Sequence, residues 1–334
     1  MSVKFGFRAV TEEYPPEVLV EQIRVTEEAG FDFVTASDHF HPWFHTNAQA
    51  SQAWILLASA AAVTKRIELG TGVTSPFSRY HPAIVAQSFS TLQRLSGGRV
   101  FLTVGTGEAM NEIPLGLPWP PYRERAQQLR EAIEIIERLW NEEFVNFQGK
   151  HYSLRSANLY TKAENPPKLY MAAIGPKSTR TAGRIADGVY TFPVPKQYYT
   201  ETFFPALRKG VEDSGRSFDE IDKGIEFLVS YDPDYDKALK QIARWRSTLI
   251  TDVLESELYD PRVLESHGEK IPLEKLSERW VICTDIEDCL PKIEEYIKLG
   301  FNRIEIHSAS ADQKAFAKSF ARNLEYLKEQ KPNH

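Results

Sequence analysis

Cysteine is nearly absent from this 334-residue chain, which holds only Cys283 and Cys289. Two thiols at that spacing supply neither a disulfide framework nor a cysteine-rich zinc site, so they read as reduced packing residues. Long apolar runs are scarce too. The longest, such as Ala53 to Val63, fall far short of the about 20 residues a membrane-spanning helix needs. The opening Met1-Ser2-Val3-Lys4-Phe5-Gly6 has no apolar signal core, and a soluble cytoplasmic protein with no membrane partner is expected. The chain also lacks any run of five basic residues, and its net charge of -6 gives no overall electrostatic reason to bind nucleic acid. Low-complexity tracts and sequence repeats are missing as well.

With 42% hydrophobic and 26% charged residues, the chain can bury a large core. Strand-like segments fall at about Lys4 to Ala9, Phe31 to Ala36, Ile67 to Thr71, Val100 to Val104, Lys168 to Ala172, Gly188 to Thr191, Gly224 to Tyr231 and Arg303 to His307. Helical stretches alternate with them. Glu17 to Ala29 repeats apolar residues at helical spacing and stops at Gly30, and Pro82 to Leu95 opens on a proline and ends in Ser96-Gly97-Gly98. Eight βα units predict an α/β fold, a closed (β/α)8 TIM barrel forming one domain over residues 1–334, in preference to a doubly wound open sheet. Two insertions, near 147–160 and 244–279, interrupt the alternation; the second would form a lid or a dimer contact.

Barrel chemistry gathers where the carboxyl ends of the strands converge. Ser37-Asp38-His39-Phe40-His41-Pro42-Trp43 would lie there after the second strand, and Gly105-Thr106-Gly107-Glu108-Ala109-Met110-Asn111-Glu112 after the fourth. Imidazole titrates near neutrality, which makes His39 the natural general base, with Asp38 placed to orient it. Trp43 offers an aromatic wall or an indole N–H for a developing oxyanion. Glu108 offers a carboxylic acid or a partner for a ligand nitrogen. The Gly105-Thr106-Gly107 element has Met110 at the third fingerprint position and follows the fourth strand, which disfavours a nicotinamide-binding fold. His39-Phe40-His41, with His45 near, also admits a metal. A metal-dependent barrel hydrolase is therefore the alternative of another class, although His81, His151, His267 and His307 add no recognisable ligand spacing.

These segments, together with Gly72-Val73-Thr74-Ser75-Pro76, Arg79-Tyr80-His81-Pro82-Ala83-Ile84-Val85-Ala86-Gln87, Gly175-Pro176-Lys177 and Arg279-Trp280, resemble the deazaflavin-dependent branch of the bacterial-luciferase-like superfamily. Within it the likeness is greatest to the F420-dependent glucose-6-phosphate and secondary alcohol dehydrogenases, and it covers nearly the whole chain. The resemblance implies a (β/α)8 barrel, a homodimer and coenzyme F420, with FMN as the alternative cofactor. It implies hydride transfer from a small hydroxylated substrate to the deazaflavin C5. By the same resemblance His39 takes the hydroxyl proton, Trp43 stabilises the alkoxide-like state, Glu108 manages the proton of the ring N1, and Glu12 assists. Asp38, Gly72, Val73, Ser75, Thr106, Gly107, Asn111, Ala173, Ile174 and Gly175 would line the cofactor site, with a cis peptide at Gly72-Val73.

For the substrate, the resemblance implicates Thr191, Lys196, Glu226, Glu255 and Arg279. Lys196 and Arg279 match two of three phosphate-holding basic positions, whereas the third falls on Glu255, an acid that would repel a phosphate unless Arg262, Lys270 or Lys275 reaches in. Asn47-Ala48-Gln49 and Gln52-Ala53-Trp54 read like the alcohol enzyme, as Ile225-Glu226 and Asp312-Gln313 read like the sugar-phosphate enzyme. Leu228 stands where the alcohol enzyme has an aromatic residue. A sugar or sugar phosphate is the favoured substrate and a secondary alcohol the alternative.

Overall fold

The computed structural model describes residues 2–254 and 256–332. Its strands are β1 (Lys4–Ala9), β2 (Phe33–Ala36), β3 (Glu68–Thr71), β4 (Val100–Val104), β5 (Val145–Gln148), β6 (Ser153–Ala157), β7 (Lys168–Ala172), β8 (Gly188–Thr191), β9 (Asp222–Tyr231), β10 (Val281–Cys283) and β11 (Arg303–Ser308). The order β1-β2-β3-β4-β7-β8-β9-β11 is parallel throughout, and β11 pairs back onto β1 to close an eight-stranded barrel. All eight sequence-predicted strands are members of it. The second begins two residues later than expected, because Gly30 turns left-handed at φ 95° and the Phe31 amide bonds back to the Thr26 carbonyl, leaving Phe31 in the exit of helix Pro16–Glu28.

Alternation along each strand sends one set of side chains outward under the helices and the other into the barrel. The outward set, including Phe5, Phe7, Val34, Leu69 and Ile304, joins the main apolar core. The inward set forms a plug at mid-barrel, where Phe33, Phe101, Tyr170 and Tyr190 cluster. Glycines on other strands leave room for these rings. A Cβ added at Gly6 would lie 2.0 Å from the Phe33 ring, and one at Gly70 would lie 2.1 Å from Phe101. The Arg303 guanidinium fills the centre 4.2 Å from the Phe33 ring centroid, with its charge met by Glu68 at 2.9 Å. This layer closes the barrel floor, so any cavity above it opens only toward the carboxyl ends of the strands.

Two segments stand outside the alternating barrel units. Residues 147–160 overlap the antiparallel hairpin β5–β6. The 244–279 segment contains helix Pro261–Gly268 between two 3-10 stretches, Ile242–Leu249 and Leu273–Glu278, and it packs over the barrel mouth. There Trp245, Leu264, Leu276 and Trp280 form a second apolar cluster with Trp43, Phe44 and Met110. Polar contacts pin the segment to the loop after β2: Ser247 Oγ donates to the Trp43 carbonyl at 2.8 Å, Thr46 donates to Glu265 from both its amide and its Oγ1, the latter at 3.0 Å, and His41 Nδ1 lies 3.1 Å from the Tyr259 carbonyl.

Candidate active site

His39 emerges from β2 into the mouth with its side chain only 8% exposed, between two carboxylates. Glu12 Oε1 lies 3.6 Å from Nδ1 and Glu108 Oε2 3.4 Å from Nε2. The Trp43 ring is 6.3 Å from the imidazole, centroid to centroid. Its indole N–H has no protein acceptor among the described residues. The structure thus brings together His39, Trp43, Glu108 and Glu12, three of them on one wall of the cavity and Glu108 facing them from the loop after β4.

Burial works to raise the Glu12 carboxyl pKa, but His39, Arg8 and the Ser37 hydroxyl outweigh it and hold the group below its ordinary value. Glu12 therefore stays ionised at neutral pH. Asp38, which adjacency in sequence suggested as the group orienting His39, makes its bonds elsewhere. Consecutive side chains on extended backbone point to opposite sides. Asp38 faces away, accepting from Thr74 Oγ1 at 2.7 Å and Tyr80 at 3.0 Å, with Arg79 at 3.1 Å.

Asn111 ties the two loops together: its Oδ1 accepts from the Phe40 amide at 2.7 Å and its Nδ2 donates to Glu108 at 3.1 Å. Neighbouring Glu112 is buried, and that burial, opposed by Arg79, pushes its carboxyl up to about 7. Arg79 thus links Asp38 and Glu112 beneath the mouth, a role its sequence context did not disclose. His41, the second histidine of the H-x-H pattern, stacks on Phe40 at 5.3 Å and turns to the cap. Among the described residues no group of three or more His, Cys, Asp or Glu is arranged to hold a metal ion.

Other expected cofactor residues lie on the loops after β3, β4 and β7. The Gly72-Val73 peptide is cis, and the Gly72 carbonyl accepts from Arg8 Nη2. Val73 leans over Gly105, where an added Cβ would lie 2.8 Å from Val73 Cγ2. Gly107 adopts φ +73°, and a Cβ there would meet Ser75 Oγ at 2.9 Å. Ser75 Oγ is itself buried without a hydrogen-bond partner. Gly105 and Gly107 thus make room for Val73 and Ser75, and the buried, unpartnered Ser75 hydroxyl fits the polar edge of a flat ring. Across it, Ala173 and Ile174 follow β7, the Ile174 carbonyl accepts from Tyr198 at 2.9 Å, and Gly175 begins helix Pro176–Ile185. Thr106 is half-buried between these walls.

The expected substrate residues divide. Thr191 ends β8 with its hydroxyl buried and unpartnered. Glu226 lies on the barrel floor, where its Oε1 meets His307 Nδ1 at 2.8 Å and Arg8 Nη1 at 3.2 Å. Lys196 is 62% exposed, 3.7 Å from Glu295. Arg279 lines a cavity of about 690 Å³ in the cap with His267, Lys270 and Lys275, and this cavity does not include His39. Glu255 lies outside the described residues. Arg8 and His307 went unassigned from sequence, since their partners are up to 297 positions away.

The luciferase-like monooxygenase family profile matches residues 2–303. Among characterised relatives, an F420-dependent glucose-6-phosphate dehydrogenase of Beutenbergia cavernae is 42% identical over 323 residues, covering 96% of each chain. One of the same name from Nakamurella multipartita is 38% identical over 315 residues, covering 94% of this chain and 93% of that one. The solved structure of an F420-dependent secondary alcohol dehydrogenase, in complex with an F420-acetone adduct, superposes with a TM-score of 0.93 at 33% identity, covering 96% of this chain and 98% of that chain. The chain belongs to the luciferase-like monooxygenase family.

Proposed function

We propose that this protein is an F420-dependent dehydrogenase that oxidises the CH–OH group of a sugar or sugar phosphate to a carbonyl or lactone. The carrying observation is His39 held between Glu12 and Glu108 opposite the Gly72-Val73 and Gly105-to-Gly107 cradle. The relatives' names support both the cofactor and the substrate class.

When bound, coenzyme F420 supplies the acceptor for the hydride that leaves the substrate carbon. Val73, Ser75, Gly107, Asn111, Ile174 and Gly175 would hold it, with Asp38, Gly72, Thr106 and Ala173 completing the site. His39 Nε2 faces the cavity and accepts the hydroxyl proton, while ionised Glu12 at Nδ1 stabilises the resulting imidazolium. Trp43 donates its indole N–H to the substrate oxygen as negative charge grows there. Glu108, hydrogen-bonded by Asn111 Nδ2, would lie at the cofactor edge. Thr191, Lys196 and Arg279 belong to the substrate side. The cap cavity, where Lys270, Lys275 and Arg279 outnumber the one acid Glu278, suits an anionic end of the substrate.

The apolar wall formed by Trp43, Met110, Trp280 and half-buried Leu228 favours a second reading, oxidation of a secondary alcohol. Titration of oxidised F420 with the protein tests the cofactor assignment: saturable spectral change is expected, and no binding by folded protein contradicts it. Rapid oxygen consumption with bound flavin would instead assign FMN.

A homodimer is part of the same proposal. On the adjacent helices Ala53–Val63 and Pro82–Leu95, Ile55 is 70%, Leu95 64%, Ile84 51% and Val63 47% exposed, an apolar face suited to a second copy. Light scattering should give twice the chain mass, and Ile55→Asp with Leu95→Asp should give the monomer. Among the described residues no helix is long and apolar enough to cross a membrane. Free Cys283 and Cys289 support the cytoplasmic reading.

A further inference from the structure

Between Thr71, the last residue of β3 paired to β2, and the single bridge of Thr74 to Val104, the chain leaves the barrel sheet. Both ends of this gap are held by backbone: the Gly72 amide donates to the Ala36 carbonyl at 2.9 Å, and the Thr74 amide to the Thr103 carbonyl at 2.9 Å. The Gly72 carbonyl between them bonds to a side chain instead, accepting from Arg8 Nη2. Arg8 is itself fixed, because its Nη1 reaches Glu305 Oε1 at 2.9 Å and that oxygen also accepts from Thr35 Oγ1 at 2.6 Å. Space is tight there. A Cβ added at Gly72 would lie 3.1 Å from Thr35 Cβ and 3.4 Å from Arg8 Nη1.

We propose that Arg8 is a positioning residue for the cofactor site: it holds the Gly72 carbonyl, and through that peptide the Val73 side chain, while Glu305 and Thr35 fix its guanidinium. The inference rests on the dehydrogenase reading, in which Gly72 and Val73 belong to the cofactor site. Arginine suits the task because its rigid planar fork engages a carboxylate and a carbonyl at once and stays charged when buried, whereas a lysine ammonium is a point donor. Filling the barrel does not call for it. The aromatic plug with Arg303 already closes the floor, and a buried ion pair adds little stability over apolar residues of similar volume. A segment outside the sheet ladder loses freedom when a ligand packs on it, and fixing it beforehand removes that cost from binding.

The test titrates oxidised F420 into Arg8→Lys without substrate and follows amide hydrogen exchange in the cofactor-free protein. Lysine keeps the positive charge beside Glu305 and Glu226 but replaces the fork with one point donor. The Kd for F420 should rise by about 10- to 100-fold, the range expected for losing a hydrogen bond to a charged group. Exchange should quicken over residues 72–74 and stay unchanged along β9. Glu226→Gln, which touches only Nη1, should leave F420 affinity at the wild-type value. Wild-type affinity in Arg8→Lys, or exchange raised evenly across the barrel, overturns the proposal. Should Arg8→Lys not fold, Glu305→Gln, which loosens the fork without removing it, should move both readouts the same way by a smaller factor, and no movement refutes the positioning role. Should the wild type not bind F420, the dehydrogenase reading fails on its own, and exchange decides: faster exchange confined to residues 72–74 supports the hold of Arg8 on Gly72, and an unchanged rate refutes it.

Discussion

Two histidines at strand ends each have a glutamate at Nδ1, yet they are held differently. His39 stands 3.6 Å from Glu12 and 3.4 Å from Glu108, longer than ordinary hydrogen bonds. His307 stands 2.8 Å from Glu226, between two tryptophans. A base that must take and release a proton needs a nitrogen free of a short hydrogen bond, and neither His39 nitrogen makes one. A residue that fixes another group's direction needs the opposite, a short bond and a locked ring. The proposed function assigns proton transfer to the loosely held pair, whereas the other pair is fixed by its short bond.

The largest way to break the comparison is His39→Ala. It should lower kcat for alcohol oxidation by about 10²- to 10⁴-fold while retaining F420 binding, as read by steady-state kinetics beside a cofactor titration. A His307 change with an equal kcat loss would erase the distinction. Next, Trp43→Phe keeps an aromatic ring but removes the N–H, and stopped-flow measurement of the hydride step should find it slower by about 10²-fold. The smallest effect is in pH. Glu112, beneath the His39 side, has a folded pKa of about 7 against an ordinary 4.5, so it binds its proton more tightly when folded. Its contribution to stability is fully present below about pH 4.5 and is lost as pH rises through about 7. Thermal unfolding across that window should show the wild type losing ground to Glu112→Gln as pH increases. A constant gap would contradict the assignment.

Sequence periodicity and turn residues disclosed the barrel because each βα unit is a local pattern, and all eight strands fall where those patterns lie. His39, Trp43 and Glu108 were legible for the same reason: each follows a strand end. Asp38 was misread as the orienting group because adjacency in sequence hides the alternation of an extended chain. Arg8 and His307 were illegible in a different sense, since an arginine in β1 acquires meaning only when β9 and β11 bring Glu226 and Glu305 to it. The cap's closeness to Trp43 likewise depends on contacts spanning 204 positions.

The central claim is that the mouth around His39 moves a proton as a hydride passes to F420. Single-turnover mixing of the enzyme and oxidised F420 with glucose 6-phosphate, and separately with 2-propanol, tests it most directly. The account predicts bleaching of the oxidised deazaflavin band with at least one of them, abolished in His39→Ala although the cofactor still binds. Bleaching that survives in His39→Ala at the wild-type rate would contradict it.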